Sequence, residues 1–225
     1  MKKVDFDQYA SRYNELLREG TGFFTEDESY FARYKVAIAR SLVTTSPATV
    51  LEFGCGIGRN IPFLRAAFPG AELMGSDVSA KSIETAREEN PGVRFWVDGG
   101  QEGECPPFDL VFVAGVFHHI PPEERRAAAD YAAARLAPGG SIVVFEHNPY
   151  NPITRKIVAD CPFDEGVVLL RPREMRELLR NAGLQVTGQG FSLFFPPKLK
   201  ALARLEPLLA WLPLGGQYWT IARRA

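Results

Sequence analysis

The sequence has no block of basic residues: 26 lysines and arginines stand against 27 aspartates and glutamates, for a formal charge of −1. That balance excludes a broad electrostatic footprint for nucleic acid. Cysteine is scarce as well. Cys55, Cys105 and Cys161 form no CxxC pair, and their odd number argues against a disulfide framework. No apolar run approaches the ~20 residues of a membrane span. The opening Met-Lys-Lys-Val-Asp-Phe-Asp lacks the apolar core of a signal peptide. Repeats and low-complexity segments are missing too. The expectation is a soluble, cytoplasmic chain in a reducing compartment. Its 225 residues suit one domain with a helical extension or an inserted lid.

What the sequence does contain is alternation. Short apolar runs at 49–53, 72–75, 93–97, 110–114 and 141–145 are near-continuous Val, Ile, Leu and Phe, as in strands buried on both faces. Helical patterns separate them. Ser79 reads as an N-cap, and Asn90-Pro91-Gly92 as the end of that helix. Pro121-Pro122-Glu123-Glu124 reads as the opening of another helix and Pro138-Gly139-Gly140 as its close. Met175, Leu178, Leu179 and Ala182 recur at helical spacing before Gly183. Alternation of this kind predicts an α/β fold with a doubly wound, mostly parallel sheet. Residues 1–46 stand apart from a main domain at 47–225 as two amphipathic helices, which the family resemblance drawn below makes an N-terminal helical cap. Phe6, Tyr9, Tyr13, Leu16 and Leu17 line its first amphipathic helix; Phe31, Tyr34, Ile38 and Leu42 line its second. Within the main domain, a Pro- and Asn-rich stretch at about 147–171 is too long for a plain loop and reads as a lid insert. A Leu- and Trp-rich excursion occupies about 196–215.

The most informative string is Glu52-Phe53-Gly54-Cys55-Gly56-Ile57-Gly58-Arg59-Asn60, where a strand enters a glycine turn before a helix. Glycines there permit positive φ and let a ligand approach the backbone. The spacing is GxGxG, not the GxGxxG of a dinucleotide fold. Glu52, two residues before the first glycine, suits a cationic amino group better than a pyrophosphate. Asp77 ends the next strand, at the distance from which an acid reaches ribose hydroxyls. Asp98 ends the one after. The three sites together suit a nucleoside carrying an amino-acid tail. This set, with the later Leu-Ala-Pro-Gly-Gly at 136–140, resembles the class I S-adenosylmethionine-dependent methyltransferases, strongly over 49–146 and by layout over 172–225. The resemblance implies a seven-stranded Rossmann-like sheet whose last strand, 217–222, is antiparallel. It implies S-adenosylmethionine as cofactor and S-adenosylhomocysteine as product. Glu52 and the glycine turn would hold the methionine moiety, Asp77 the ribose and Asp98 the adenine. The cofactor set is then Glu52, Gly54, Cys55, Gly56, Gly58, Asn60, Asp77, Val78, Asp98, Gly99 and Gly115. A nicotinamide dinucleotide shares Asp77 but leaves Glu52 and the glycine spacing unexplained.

All three histidines fall just past strand ends, where open parallel sheets bind ligands. The string Phe117-His118-His119-Ile120-Pro121 is similar to the family's post-strand motif. The sulfonium supplies an activated methyl group, so alignment matters most, and a hydroxyl or acidic carbon must in addition lose a proton. His119 is the expected base, His118 the reserve, and Glu146 the residue orienting either; adjacent histidines on such a segment are expected to point apart. O-methylation of a small molecule is favoured. C-methylation, a non-catalytic cofactor-binding module and a dehydrogenase are the alternatives. Two adjacent histidines and a distant third lack familiar ligand spacing, so no metal is expected. Asn148-Pro149-Tyr150 differs from the Asn-Pro-Pro-Tyr of DNA amino-methyltransferases in strand position and proline count, and no nucleic-acid partner is expected. Substrate contacts are assigned to Tyr13, Tyr34, His147, Asn148, Tyr150 and Arg155. Residues 196–214 read as core or dimer packing, or as a weak lipid or membrane contact aided by Lys198, Lys200 and Arg204. A monomer or homodimer fits equally.

Overall fold

In a computed structural model, which describes residues 7, 25, 27, 29–100 and 105–225, the apolar runs form a single seven-stranded sheet. The strands are β1 (Thr49–Phe53), β2 (Glu72–Asp77), β3 (Arg94–Val97), β4 (Phe108–Ala114), β5 (Leu136–His147), β6 (Gln185–Ser192) and β7 (Gln217–Arg223). Their spatial order is β3-β2-β1-β4-β5-β7-β6. β1 to β5 run parallel, and β7 lies antiparallel between β5 and β6. The order reverses between β1 and β4, and at such a switch point the loops leaving the two strands diverge and open a crevice.

Helices cover both faces: α1 (Tyr30–Leu42), α2 (Ile61–Ala67), α3 (Ala80–Glu89), α4 (Arg125–Ala134), α5 (Pro152–Asp160) and α6 (Pro172–Asn181). The period-two alternation of a strand divides its side chains between two cores. Leu51, Val111 and Val113 pack with Ala129, Met175 and Leu179 on one side. Val50, Leu110 and Phe112 pack with Val36, Leu64 and Ile83 on the other. Ser79 caps α3 by accepting from the Ser82 N–H at 3.1 Å. Gly183, at φ 82°, follows α6.

Three boundaries differ from expectation. The Pro138-Gly139-Gly140 segment does not merely close a helix. It lies inside β5, which begins at Leu136. The pairing with β4 slips between Phe108 and Leu110, and the slip accommodates these residues; a Cβ on Gly140 would sit 2.7 Å from the Phe108 carbonyl oxygen. The helix expected from Pro121 starts only at Arg125, because residues 122–124 form turns. The 147–171 insert is largely ordered structure: α5 followed by a 3₁₀ turn at Pro162–Asp164. Asn151 caps α5 through the Ile153 and Thr154 N–H groups.

The residues named for the first cap helix, Tyr13 among them, lie outside the described residues. α1, the second of the two N-terminal helices expected from the sequence, is tied to the 196–215 excursion through Glu206 at the start of α8 (Glu206–Leu209), which follows α7 (Lys200–Ala203). The buried Glu206 carboxylate accepts from the N–H groups of Leu193, Phe194 and Phe195, each at 3.2 Å, and from the Tyr34 hydroxyl. Beyond it Leu208, Trp211 and Leu214 project into solvent, Trp211 at 75% exposure.

Candidate active site

The glycine turn leaves β1 at the switch point. Gly54, Gly56 and Gly58 take φ of 70°, 52° and 78°. Their surroundings differ. A Cβ on Gly54 would meet Val116 at 2.4 Å, and one on Gly58 would meet Asn90 Nδ2 at 2.6 Å, whereas Gly56 faces open space. Two glycines therefore serve packing, and one leaves a cradle beside the backbone.

Glu52 lies beneath this turn, 1% exposed. Its Oε1 accepts from Asn60 Nδ2 at 2.5 Å, while Oε2 is buried with no hydrogen-bond partner. Burial pushes the carboxyl up to about 8, with Asp77 adding to the push and Asn60 and Lys35 opposing it. Lys35 arrives from α1. Burial brings its ammonium down to about 8 against the pull of Glu52 and Glu146. The sequence reading missed Lys35, yet a signal existed. The residue stands four after Phe31 and three before Ile38, on the apolar stripe of its helix, where a charge needs a partner.

Asp77 bridges two backbone segments. Its Oδ2 accepts from the Gly56 N–H at 2.8 Å and its Oδ1 from the Ser79 N–H at 2.9 Å, which leaves lone pairs on both oxygens. Burial raises its pKa, and those two bonds oppose the rise. Asp98 follows β3 and accepts from the Tyr131 hydroxyl at 3.1 Å. Cys55 is buried, with its N–H on the Ser76 carbonyl, and Val78 is exposed. Gly99 and Gly115 take φ of 82° and 72°. Glu52, the glycines, Asn60 and Asp77 thus form one contiguous group, with Asp98 at the neighbouring strand end.

The histidines form a second group past β4 and β5. His118 and His119 sit on a 3₁₀ turn, Phe117–His119. They do not point apart. A 3₁₀ turn rotates successive residues by ~120° rather than the ~180° of a strand. Their rings lie 4.0 Å apart by centroid, and His147 adds a third ring 4.9 Å from His118. Glu146 binds the first of these histidines rather than the second. Its Oε2 takes His118 Nδ1 at 2.6 Å, and its Oε1 accepts from the N–H groups of Val116 (3.1 Å) and Phe117 (2.7 Å). On the far side Asp164 Oδ1 stands 3.5 Å from His118 Nε2 and 3.4 Å from His119 Nε2. Burial alone would lower the His118 pKa, but the Glu146 and Asp164 carboxylates outweigh it and hold it up at about 9. His119 is lowered by burial and then by His118, and His147 falls to about 4 for the same two reasons. Nothing in the string around Asp164 marked it beforehand; only the folding of the insert brings it here.

Asn148 is fully buried, and its amide donates to the Pro213 and Gly215 carbonyls. Tyr150 and Arg155 are exposed, and the Tyr34 hydroxyl is engaged by Glu206.

Residues 51–142 match the family model described as a methyltransferase domain. A trans-aconitate 2-methyltransferase of Methylobacterium nodulans is 32% identical over 123 residues, covering 52% of this chain and 47% of that protein. The chain spans about half the length of the curated relatives it matches. A methyltransferase structure from Thermotoga maritima superposes with a TM-score of 0.72 over 98% of both chains at 18% identity. Human N-acetylserotonin methyltransferase superposes at 0.64, with 14% identity, 98% of this chain and 59% of that one. At those identities the structures speak for the fold. The matched segment contains the acid, the glycine turn and both strand-end aspartates, and over these residues the chain is similar to S-adenosylmethionine-dependent methyltransferases.

The residues fit that family's cofactor. The partnerless Glu52 Oε2 calls for a donor such as an ammonium, and the space at Gly56 admits an approach to the backbone. Asp77 keeps acceptor capacity for hydroxyls.

Proposed function

We propose that the chain transfers a methyl group from S-adenosylmethionine to a small-molecule acceptor, with a hydroxyl oxygen as nucleophile and His119 taking its proton. The observation that carries the cofactor half is the buried, partnerless oxygen of Glu52 beside the open Gly56. When bound, the cofactor supplies a methyl group already activated by its sulfonium. The chain's own residues do the rest. Glu52 and Asn60 hold the amino-acid end, and Asp77 and Asp98 take the ribose and the base. The sheet edge orients the acceptor for in-line attack.

The proton half is supported by the division of labour between neighbours. His118 is sealed, with Nδ1 on Glu146 and Nε2 towards Asp164, whereas His119 keeps 13% side-chain exposure. An imidazole at the rim of a crevice is placed to accept a proton, and one locked between carboxylates is not. Calorimetry should give binding of S-adenosylhomocysteine and none of NAD or NADP; the reverse order sinks the cofactor assignment. With an active acceptor in hand, His119→Ala should lower kcat by roughly 10²–10⁴-fold and leave S-adenosylhomocysteine affinity nearly intact. Trans-aconitate, in the relatives' printed name, is a carboxylate, and a carboxylate acceptor needs no base. Full activity of His119→Ala would favour that second reading.

A further inference from the structure

We propose that His118, His147 and Asp164 bind a divalent transition metal of the zinc class, stapling the 162–164 turn of the insert to the carboxyl edge of the sheet. One ligand atom from each lies within 4.8 Å of the other two. The three come from separate segments: the turn after β4, the last residue of β5 and the 3₁₀ turn after α5.

The separations are informative. Asp164 Oδ1 is buried and accepts no well-formed hydrogen bond, and it stands 3.5 Å from His118 Nε2. An N–H to carboxylate bond would close to ~2.7–2.9 Å. Ligands ~2.0–2.1 Å from a tetrahedral zinc ion are separated along each edge by ~3.3–3.4 Å. The gap is thus long for a hydrogen bond and near the span of two donors sharing one ion.

The surroundings match as well. A metal-bound imidazole usually gives its other nitrogen's proton to a carboxylate, which fixes the tautomer and aims the lone pair. His118 has this arrangement, with Nδ1 at 2.6 Å from Glu146 and Glu146 itself fixed by two backbone N–H groups. Two imidazoles and one carboxylate favour zinc, cobalt or iron over magnesium or calcium, which prefer all-oxygen shells. Three protein ligands leave a fourth position for solvent or an acceptor oxygen. The inference assumes nothing about methyl transfer and stands or falls independently of it.

The test uses the untagged full chain, stripped with chelator, dialysed against Zn²⁺ and analysed for metal content, with Zn²⁺ affinity measured by calorimetry. One Zn²⁺ per chain is expected. Asp164→Asn and His147→Gln should each weaken binding by at least ~100-fold, and Glu146→Gln by ~10–100-fold. Asp160→Asn, an exposed acid in the same insert, should bind as the parent does. Should the variants fail to fold, Co²⁺ in the parent chain decides. The intense visible absorption of four-coordinate Co²⁺ supports the site, and the weak bands of six-coordinate Co²⁺ overturn it. The proposal also fails if the parent retains no metal, or if Asp164→Asn retains Zn²⁺ equally well.

Discussion

Glu146 and His118 share a 2.6 Å hydrogen bond between side chains that are 1% and 2% exposed, and the same carboxylate holds the backbone of the turn that carries His118. The His118 charge outweighs burial and keeps the Glu146 carboxyl below its ordinary range. Removing one partner of such a pair strands the other in a low-dielectric interior. Glu146→Ala should cost about 3–5 kcal/mol in urea denaturation. A loss under about 1 kcal/mol would mean that solvent reaches the pair.

Burial raises the Glu52 carboxyl to about 8, so that it titrates close to physiological pH in the ligand-free protein. On the proposal that Glu52 holds the amino group of the cofactor, binding requires the carboxylate and expels a proton. The charged groups facing Glu52 are Lys35 from α1 and Asp77 from β2. S-adenosylhomocysteine affinity should therefore rise between pH 6 and 8, by up to about tenfold per unit, and level off above about 8. Glu52→Gln should bind more weakly and with a flatter pH profile. A flat profile in the parent would show that Glu52 is ionised before the ligand arrives.

Asp77→Ala removes the bridge to Gly56 and Ser79 and, on the proposed cofactor placement, the acceptor for the ribose hydroxyls. The expected loss of S-adenosylhomocysteine affinity is about 1.5–3 kcal/mol. Unchanged calorimetric affinity would show that the ribose binds elsewhere.

The glycines of the turn should separate by assay. Gly54→Ala drives a methyl group into Val116 in addition to the strain at φ 70°, and should lose about 1–3 kcal/mol of stability. Gly56→Ala meets nothing, so its folding cost is about 1 kcal/mol from φ alone, while the methyl enters the cradle and weakens S-adenosylhomocysteine binding. Equal behaviour of the two variants in melting and in calorimetry would contradict that division.

Glu206 ties the 193–195 backbone to the Tyr34 hydroxyl, which itself also accepts from the Leu193 N–H at 2.7 Å. Glu206→Ala leaves the Phe194 and Phe195 N–H groups and the Tyr34 hydroxyl proton to find other partners and should lower Tm by roughly 4–12 °C, a cost of about 2–3 kcal/mol. Tyr34→Phe removes two bonds, one to Glu206 and one from the Leu193 N–H, and should cost about 1–2 kcal/mol. An unchanged Tm in Glu206→Ala would mean that water replaces the carboxylate freely.

Local chemistry made much of this protein legible. Val50-Leu51 and Leu110–Val113 read as buried strands because both faces of the sheet are covered. The turn at 54–58 was readable because glycine is the residue that takes positive φ without strain, and Asp77 because a strand's end sets its distance from the turn. What depended on segments distant in sequence could not be read in this way. Lys35 meets Glu52 only because α1 packs on the sheet. His118 is told from His119 only by a 3₁₀ turn and by Glu146, 28 residues on. Asp164 reaches the histidines only because α5 turns the insert back over the strand ends, where Asn148 and Asn151 pin it to the carbonyls at 213–215. Backbone preference and hydrophobic period act over a few residues, so they determined the sheet and its glycine turn. Burial and charge pairing act between elements, and they decided which acids and histidines face one another.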